Sequence, residues 1–420
     1  MNILFIHQNF PGQFKHLSVA LARQGHRVTA LTLRVKKPVE WNGVQILPYR
    51  IDRRDEQQVH PWILDMDSKV TRAEACLRAA LRLKQSGYQP DIIIAHPGWG
   101  ESMFLRDAWP EARLGIYCEL YHRIDYPHSG FDPEFPAPVN LPEAPRIRMK
   151  NLHNQVSFDA AQAGLSPTAF QADTFPERFR DQITVVHDGI DTDEVRPDPS
   201  ASFTLPDGRV LTRADEVVTF VNRNLEPYRG YHVFMRALPR LLRERPDAQV
   251  LITGGDGLSY GSSPPKGKSW KQVYIEEVRG QIPDADWARV HFLGRIPYED
   301  FLSMLQVARV HVYLTYPFVL SWSLMEAMAA SAAIVASDTA PVREVLSHDR
   351  TGRLVDFFDG DALVDQVCDL LEDPEARARL GAAARDLIRD SYDLKTKCLP
   401  RQLEWVQALA QMPAPPPPPV

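Results

Sequence analysis

The chain is poor in cysteine, in long apolar runs and in excess positive charge. Its 420 residues hold four cysteines, Cys76, Cys118, Cys368 and Cys398, with no Cys-x-x-Cys pair. That spacing indicates neither a disulfide framework nor a zinc site. No run approaches the eighteen or so apolar residues of a membrane span. With 48 Lys and Arg against 54 Asp and Glu, the net charge of −6 argues against a nucleic-acid binder, which needs cations to neutralise phosphates.

What the chain does have is the composition of a soluble globular protein. Hydrophobic residues make up 44% and charged residues 24%, and the length suggests two or three domains. The first residues, MNILFIHQNF, lack the basic flank and small-residue cleavage site of a signal peptide. We therefore expect a cytoplasmic protein.

Short apolar runs alternate with amphipathic stretches along most of the chain. Asn2–His7, Asp91–Ala95 and Gly115–Glu119 are predicted strands, and Ser68–Lys84 a predicted helix. The pattern restarts at Glu216 with another strand and helix. Such alternation is typical of α/β folds with parallel sheets. We predict two facing, Rossmann-like, doubly wound domains with a cleft between them, whose ligands bind at the carboxyl ends of the strands.

The predicted boundaries follow changes in composition. Residues 1–195 form an N-terminal domain, 196–215 a Pro- and Asp-rich linker, and 216–391 a C-terminal domain. Residues 392–412 form a helix that crosses back to the N-terminal domain. The tail 413–420, PAPPPPPV, is predicted to be a disordered polyproline segment, and recruitment of a proline-binding domain is the alternative.

Four loops carry polar residues where such a fold places a site. In RNLEPYRG, Arg223, Arg229 and Gly230 precede a helix, which suits phosphate binding, although both arginines are equally explained as solvent-facing. Glu326 lies near a strand end and suits ribose hydroxyls or, alternatively, the helix dipole. Asp338 is explained by helix capping and Asp188 by a glycine turn.

Together these motifs resemble a known family. GID after a mid-chain strand, RNLEPYRG, GRIPYEDFLSMLQVARVHVYLT and MEAMAASAAIVASDTAPVREV are similar to retaining glycosyltransferase family 4, the glycosyl transferases group 1. In the first domain NFPGQFKHLSVALARQGHRVTALT resembles the opening loop and helix of that family. The resemblance implies the GT-B fold and transfer of a sugar from a nucleoside diphosphate to an acceptor hydroxyl, with retention and with no cofactor.

The resemblance also implies roles for residues of the second domain. Arg223 matches the first of two basic residues that hold the donor diphosphate, and Arg229 stands near the second, usually Lys. Glu326 matches the carboxylate that binds the ribose. The carboxylate expected eight residues upstream is Phe318 here, and no acidic residue occurs between Arg309 and Glu326. We expect Ser321 and Ser323 to replace part of its contact with the donor sugar.

In the first domain the resemblance points to one loop and two histidines. Gly12, between Pro11 and Gln13, matches the loop that approaches the donor or acceptor, where glycine lets the backbone come close; an ordinary Pro-Gly turn is the alternative. His96 and His122 each follow a predicted strand, and either is a candidate for the reacting centre or a structural histidine.

No metal is predicted. The triplets Asp65-Met66-Asp67 and Asp284-Ala285-Asp286 have the Asp-x-Asp pattern, but metal-binding triplets belong to a different glycosyltransferase architecture. With 54 acidic residues, such triplets are expected by chance.

Several partners and two rival functions stay open. The expected partners are a nucleoside-diphosphate sugar and a carbohydrate or lipid-linked acceptor, so peripheral attachment to the inner face of a membrane is compatible with the sequence. The loops 38–61 and 121–145 are candidates for reading the acceptor; the second is rich in aromatic residues that suit carbohydrate stacking or packing. The oligomeric state is not indicated. The rival functions are a non-catalytic nucleotide-sugar-binding scaffold and a nucleotide-sugar epimerase.

Overall fold

The computed structural model describes residues 1–52, 59–124, 130–136 and 143–414. The chain folds into two compact units. Described residues within Met1–Ser129, Pro136–Gly189 and Lys395–Val420 form the first unit, and those within Gly130–Phe135 and Ile190–Leu394 form the second.

The first unit is a parallel sheet covered by helices. Its elements in chain order are β1 Asn2–Ile6, α1 Lys15–Arg23, β2 Arg27–Thr32, β3 Val39–Trp41, β4 Val44–Pro48, α2 Leu64–Gln85, β5 Ile92–Ala95, α3 Leu105–Ala108, β6 Arg113–Tyr117, α4 Glu143–Lys150, α5 Leu152–Ala160, β7 Ala163–Ser166, α6 Ala169–Asp173, α7 Glu177–Arg180, β8 Ile183–Val185 and α16 Leu399–Gln411.

The strand order of this sheet is β3-β4-β2-β1-β5-β6-β7-β8, and all neighbours are parallel except β3 and β4. The chain runs outward from β1 through β2 and then returns to the other side of β1 with β5. The point where the winding reverses therefore lies between β1 and β5, at their carboxyl ends.

The apolar strands are buried because helices cover both faces of the sheet. Ile3 and Phe5 pack on one face with α1 and α16, whereas Leu4 and Ile6 pack on the other with α2. Successive side chains of a strand point to opposite faces, so the short run NILFI contributes to both halves of the core.

The second unit contains a second parallel sheet and a hairpin. Its elements are β9 Ser202–Thr204, β10 Val210–Thr212, β11 Val217–Asn224, α8 Tyr231–Glu244, β12 Gln249–Gly255, α9 Trp270–Arg279, α10 Asp284–Trp287, β13 Val290–Gly294, α11 Tyr298–Val307, β14 Val310–Tyr313, α12 Trp322–Ala329, β15 Ala333–Ser337, α13 Ala340–Arg343, β16 Arg353–Val355, α14 Gly360–Glu372 and α15 Pro374–Leu387.

The order of the second sheet is β13-β12-β11-β14-β15-β16, all parallel. Here the winding reverses between β11 and β14. Helix α8 packs on the sheet through Phe234, whose ring stacks on Phe220 of β11 with centroids 4.3 Å apart. Both units are therefore doubly wound, as the alternating pattern predicted.

Two segments differ from the predicted boundaries. Residues 196–215, predicted to be a linker, contain the antiparallel hairpin of β9 and β10, and Phe203 and Leu211 are buried in the core of the second unit. The change of unit falls at Gly189/Ile190, before that hairpin. The short segment Gly130–Phe135 also belongs to the second unit. The hairpin escaped prediction because its strands are only three residues long.

The end of the chain returns to the first unit. Helix α16 packs on β6, where Gly115 leaves room for Trp405: a Cβ at Gly115 would lie 2.5 Å from that ring. Most of the polyproline tail, residues 415–420, lies outside the described residues, as do parts of the two predicted acceptor loops. Within the described ranges, each helix is too short or too polar to cross a membrane.

Candidate functional sites at the two switch points

The first unit places two histidines at the point where its winding reverses. His7 directly follows β1 and His96 directly follows β5, and their ring centroids lie 5.1 Å apart. Both side chains are buried. Burial lowers the pKa of His7 to about 4 against a smaller opposing effect of its hydrogen bond to Gln13, and burial lowers the pKa of His96 well below its usual range. Both rings are therefore neutral near pH 7.

Gly12 lies against the His7 ring, in the short turn Gly12–Phe14 that precedes α1. Its φ of +46° and the ring of His7, which would lie 2.5 Å from a Cβ, both require glycine. The His7 ring is thus one reason for glycine at this position, and the predicted approach of the Gly12 loop to the donor or acceptor stays a prediction.

A hydrogen-bond chain connects His7 to a carboxylate that sequence reasoning did not single out. His7 Nε2 lies 2.8 Å from Gln13 Oε1, and Gln13 Nε2 donates to Glu119 Oε1 at 3.3 Å. Glu119 follows β6, beside β5. The sequence does contain one signal for Glu119, because it is an acidic residue at the end of a predicted buried strand. Its closeness to His7 was not predictable, because it depends on the order of the strands in the sheet.

The other first-unit candidates have structural partners. The Tyr117 hydroxyl donates to both carboxylate oxygens of Asp188, at 2.9 and 3.0 Å, which explains an acidic residue in a buried glycine turn. The backbone of His122 is held by Asn151, which accepts from the His122 N–H at 2.9 Å and donates to its carbonyl. The role proposed for the His122 ring stays a prediction.

In the second unit, Arg223 and Arg229 lie in very different surroundings. Arg223 is exposed near the carboxyl end of β11. Arg229 is buried, and its Nη1 donates to Thr315 Oγ1 and to the carbonyl of Val319, both at 2.8 Å. Arg229 therefore connects its own loop to the loop after β14 by hydrogen bonds, at the point where the winding of this sheet reverses.

Gly230 makes the turn from that loop into α8. Its φ is +68°, and a Cβ would lie 2.2 Å from the Cβ of Leu314, so only glycine fits. Gly230 occupies the N-cap position of α8 and has no side chain to cap it, and the N–H of Tyr231 donates to the Glu226 carbonyl at 3.4 Å. A helix N-terminus without a side-chain cap carries partial positive charge and backbone N–H donors, which suit an anion.

Phe318 is part of an aromatic cluster in the loop after β14. Its ring is buried, with centroids 5.3 Å from Tyr228 and 4.8 Å from Tyr260, and the Arg229 guanidinium lies 5.6 Å from its centre. The position at which a carboxylate was expected is thus an aromatic ring among other aromatic rings, beside the Arg229 guanidinium. The aromatic neighbours and the stacked guanidinium make Phe318 compatible with packing in this loop.

Ser321 and Ser323 lie at the start of α12 and contact each other. Their hydroxyl oxygens are 2.9 Å apart, and the Ser323 N–H donates to Ser321 Oγ at 3.3 Å. Ser321 is the N-cap residue of α12. Capping explains this serine locally, and the predicted contact of the pair with the donor sugar stays a prediction.

Glu326 lies one turn further along α12 and is half-buried. Its Oε1 accepts a hydrogen bond from the Tyr298 hydroxyl at 2.8 Å. Burial and the neighbouring carboxylate raise the pKa of Tyr298, so the phenol stays a donor. Tyr298, at the start of α11, was not predicted to belong to the site.

Two further polar positions line the same edge of the second sheet. Arg295 follows β13 and donates to Asn224 Oδ1 at 3.2 Å, which places a second exposed guanidinium group near the end of β11. Asp338 after β15 pairs with Arg343 at 2.9 Å, while Thr339 occupies the N-cap position of α13 without a side-chain cap.

The two Asp-x-Asp triplets have carboxylates engaged with cations. Asp65 pairs with Lys69 at 2.8 Å; Asp286 pairs with Arg289 at 2.8 Å, and Asp284 with Arg279. Among the described residues, the ligand atoms of Asp132, Glu134 and His232 do lie within 4.8 Å of one another. Tyr316 donates to Asp132 at 2.6 Å and Arg236 to Glu134 at 2.6 Å, so these carboxylates have protein donors. Absence of a metal stays a prediction.

Comparison with known proteins finds a glycosyltransferase family model for each of the two units. Residues 24–195 match the family model for the glycosyl transferase family 4 group, and residues 208–387 match that for glycosyl transferases group 1. The chain belongs to the group 1 glycosyltransferases. The family expected from the motifs in the loops is therefore confirmed.

Two curated relatives of this chain have inositol-containing compounds in their names. A GDP-mannose-dependent α-(1-6)-phosphatidylinositol monomannoside mannosyltransferase of Mycolicibacterium smegmatis is 28% identical over 50% of this chain and 52% of its own. The D-inositol 3-phosphate glycosyltransferase of Corynebacterium efficiens is 26% identical over 88% of this chain and 84% of its own. The chain spans about half the length of the first of these relatives.

Solved glycosyltransferase structures share the fold. Sucrose-phosphate synthase from Thermosynechococcus elongatus has a TM-score of 0.73 at 17% identity, covering 98% of this chain and all of the other. HepE of Anabaena, solved with UDP and glucose, has a TM-score of 0.65 at 16% identity, covering 97% and 99%. These likenesses confirm two Rossmann-like domains of the GT-B class.

Proposed function

We propose that this group 1 glycosyltransferase moves a sugar from a nucleoside diphosphate to an acceptor hydroxyl with retention at the anomeric carbon. The observation that supports this most strongly is the switch point of the second unit. There the uncapped N-terminus of α8 and the exposed Arg223 offer backbone donors and a guanidinium group for a diphosphate.

The chemistry needs positive charge at the leaving group. As the bond between the anomeric carbon and the phosphate oxygen breaks, negative charge grows on the diphosphate, and preplaced donors stabilise it more in the transition state than in the ground state. The new bond joins the anomeric carbon to the acceptor oxygen, and the acceptor proton passes to the departing phosphate oxygen. No protein nucleophile is needed.

The two arginines have different tasks in this proposal. Arg223, which is exposed, contacts the diphosphate directly. Arg229, held by Thr315 and Val319, is a positioning residue that keeps the loops after β11 and β14 together. The α8 N-terminus and Glu326 then bind neighbouring parts of one nucleotide, Glu326 through the ribose.

The names of the relatives indicate which ligands to test first. GDP-mannose and UDP-glucose are the first donors, because one relative is named for GDP-mannose and HepE was solved with UDP and glucose. Inositol phosphates and carbohydrates, free or lipid-linked, are the first acceptors, because two relatives are named for inositol compounds.

Donor binding and turnover test the proposal in sequence. A nucleotide at about a hundred times its dissociation constant should stabilise the folded chain by about 2.7 kcal/mol in thermal unfolding. With the donor thus identified, Arg223→Ala should lower kcat/KM at least about a hundredfold, roughly 3 kcal/mol, as for loss of one oxyanion donor. Arg243→Ala, an exposed arginine in the last turn of α8, is the matched control.

A near-wild-type rate for Arg223→Ala would remove Arg223 from the mechanism. If the folded chain is stabilised by no nucleotide or nucleotide sugar, the donor site itself is contradicted.

One observation favours a second candidate, a non-catalytic nucleotide-sugar-binding protein. Phe318 lies in an aromatic cluster where the family has a carboxylate, and the neighbouring serines contact each other. Binding without turnover, across the donors and acceptors above, would support that candidate. Isomerised donor in the absence of an acceptor would instead support an epimerase.

A further inference from the structure

The hydrogen bonds of His96 determine which of its ring nitrogens carries the proton. Its Nδ1 accepts from the backbone N–H of Gly98 at 3.1 Å. The ring is neutral because burial holds its pKa well below the usual range. The proton of the neutral ring is therefore on Nε2, and His96 can donate a hydrogen bond from Nε2 but cannot take up a proton there.

That donor has no hydrogen-bond partner among the residues that the structure describes. His96 is 1% exposed, and its Nε2 lies 3.7 Å from Glu119 Oε2, beyond hydrogen-bond distance. The ring is packed between Trp99 and Tyr117, with centroids at 4.7 and 5.4 Å, which fixes its orientation. A buried donor without a partner is rare in native proteins and asks for a ligand.

The carboxylate opposite is held in place from the other side. The Asn9 N–H donates to His7 Nδ1 at 3.0 Å, so the neutral ring of His7 carries its proton on Nε2 and donates to Gln13 Oε1. The Gln13 amide then presents its N–H to Glu119 Oε1. Every donor in this chain faces an acceptor, and Glu119 Oε2 is the oxygen nearer to His96.

We propose that the first unit binds a polyol or carbohydrate through a hydroxyl group that lies between His96 and Glu119. The hydroxyl oxygen accepts from His96 Nε2–H, and its proton is donated to the Glu119 carboxylate. An N–H donor and a carboxylate at this separation match a group that both accepts and donates, as a hydroxyl does. The half-buried Trp99 ring beside them offers a face for the carbons of such a ligand.

This inference rests on the proposed function in one respect: it takes the ligand to be the sugar acceptor. The bound hydroxyl is a neighbour of the one that reacts, since its proton goes to Glu119 while the reacting proton goes to phosphate. His96 and Glu119 then select acceptors with a second hydroxyl beside the reactive one. His96 acts as a hydrogen-bond donor, and Gln13 positions Glu119.

Binding of simple polyols to the full chain, without any nucleotide, tests the pair. The probes are myo-inositol and methyl α-D-mannopyranoside, titrated by saturation-transfer NMR. We expect saturable binding of at least one probe, weakened at least about tenfold by Glu119→Gln and by His96→Asn. Asparagine keeps an acceptor for the Gly98 N–H and removes only the Nε2 donor.

Matched variants separate the hydroxyl contact from general damage. His96→Gln restores an N–H donor near the position of Nε2, so its affinity should stay within about threefold of wild type. Glu40→Gln, an exposed carboxylate on β3 of the same unit, should bind as wild type does. Circular dichroism and the unfolding temperature show whether each variant is folded. If His96→Asn is not folded, the polyol affinity of Glu119→Gln tests the inference.

Three outcomes would overturn the inference: no binding of either probe to wild type, unchanged affinity in Glu119→Gln, or equal losses in His96→Gln and His96→Asn. Nucleotide binding is measured on the same samples. If nucleotides fail to bind while polyols bind through His96 and Glu119, the proposed function is contradicted and the hydroxyl site stands. If nucleotide sugars bind and react, but polyol affinity does not depend on His96 and Glu119, only the hydroxyl site is contradicted.

Discussion

The two units present opposite chemistry at equivalent positions. In each sheet the winding reverses beside the first strand of its series, between β1 and β5 in one unit and between β11 and β14 in the other. The first position holds neutral, buried imidazoles and a carboxylate, His7, His96 and Glu119. The second holds the guanidinium groups of Arg223 and Arg229 and an uncapped helix N-terminus.

This difference teaches that topology determines where a ligand can bind, whereas the side chains determine its charge. The histidines cannot hold an anion by charge, because burial keeps them neutral near pH 7. The second unit instead offers guanidinium groups, whose planar fork of N–H donors matches phosphate oxygens. A hydroxyl-bearing ligand for the first unit and a diphosphate for the second follow from those two environments.

The largest effect that would sharpen the comparison is expected at the glycine of the second switch point. Gly230→Ala should destabilise the second unit by about 3 kcal/mol, because a left-handed backbone and overpacking add together. Gly25→Ala, with a φ of +85° and open space around it, should lose only the backbone part, about 1 kcal/mol. Urea unfolding of the full chain measures both. Equal losses in the two variants would show that the contact with Leu314 relaxes freely.

A smaller effect depends on pH and comes from the buried His7 of the first unit. Burial lowers the pKa of His7 to about 4 from about 6.5 in the unfolded chain. Its contribution to stability is therefore complete above pH 6.5 and is lost as the pH falls towards 4, since the unfolded chain binds a proton first. Between pH 7 and 5 this loss is about 2 kcal/mol.

His7→Asn should reduce that pH dependence by about the same amount, whatever it does to stability at pH 7. Urea unfolding at pH 7 and 5 measures it. If the difference in unfolding free energy between pH 7 and 5 is unchanged in His7→Asn, the pKa of His7 is not lowered in the folded chain.

The smallest effect concerns the carboxylate of α12. Tyr298→Phe removes the hydroxyl that orients Glu326, so nucleotide affinity should fall about threefold, less than 1 kcal/mol. Calorimetric titration with GDP and UDP measures it, and Glu326→Gln should have the larger effect. If Glu326→Gln binds the preferred nucleotide as wild type does, the ribose assignment fails and the two switch points differ only through their arginines and histidines.

Much of the fold was predictable from the sequence because each parallel strand is a short apolar run followed by a polar loop. Asn2–His7 and Asp91–Ala95 show both features, and the structure has strands there. The hairpin formed by β9 and β10 was not predictable, because its three-residue strands lie in a segment rich in proline and aspartate.

Features of the candidate sites were predictable from the sequence only where they lie within a single loop. Gly12 and Gly230 each lie at a turn that a motif marks, and both have left-handed backbones. Glu119 and His7 are 112 positions apart, and their connection through Gln13 requires β1, β5 and β6 to be neighbours. Periodicity predicts strands but not the order in which they pair. The burial of Arg229 likewise depends on the approach of the loop after β14.

The six residues Gly130–Phe135 limit how the molecule can be divided. They belong to the second unit, whereas the rest of that unit begins only at Ile190. A gene fragment for residues 190–394 would omit Asp132, whose carboxylate lies 2.9 Å from His232 and accepts from Tyr316. Both partners are buried, so the fragment would lose polar contacts inside its own core. Exchanging whole domains between relatives therefore requires this short insert to be exchanged together with the second unit.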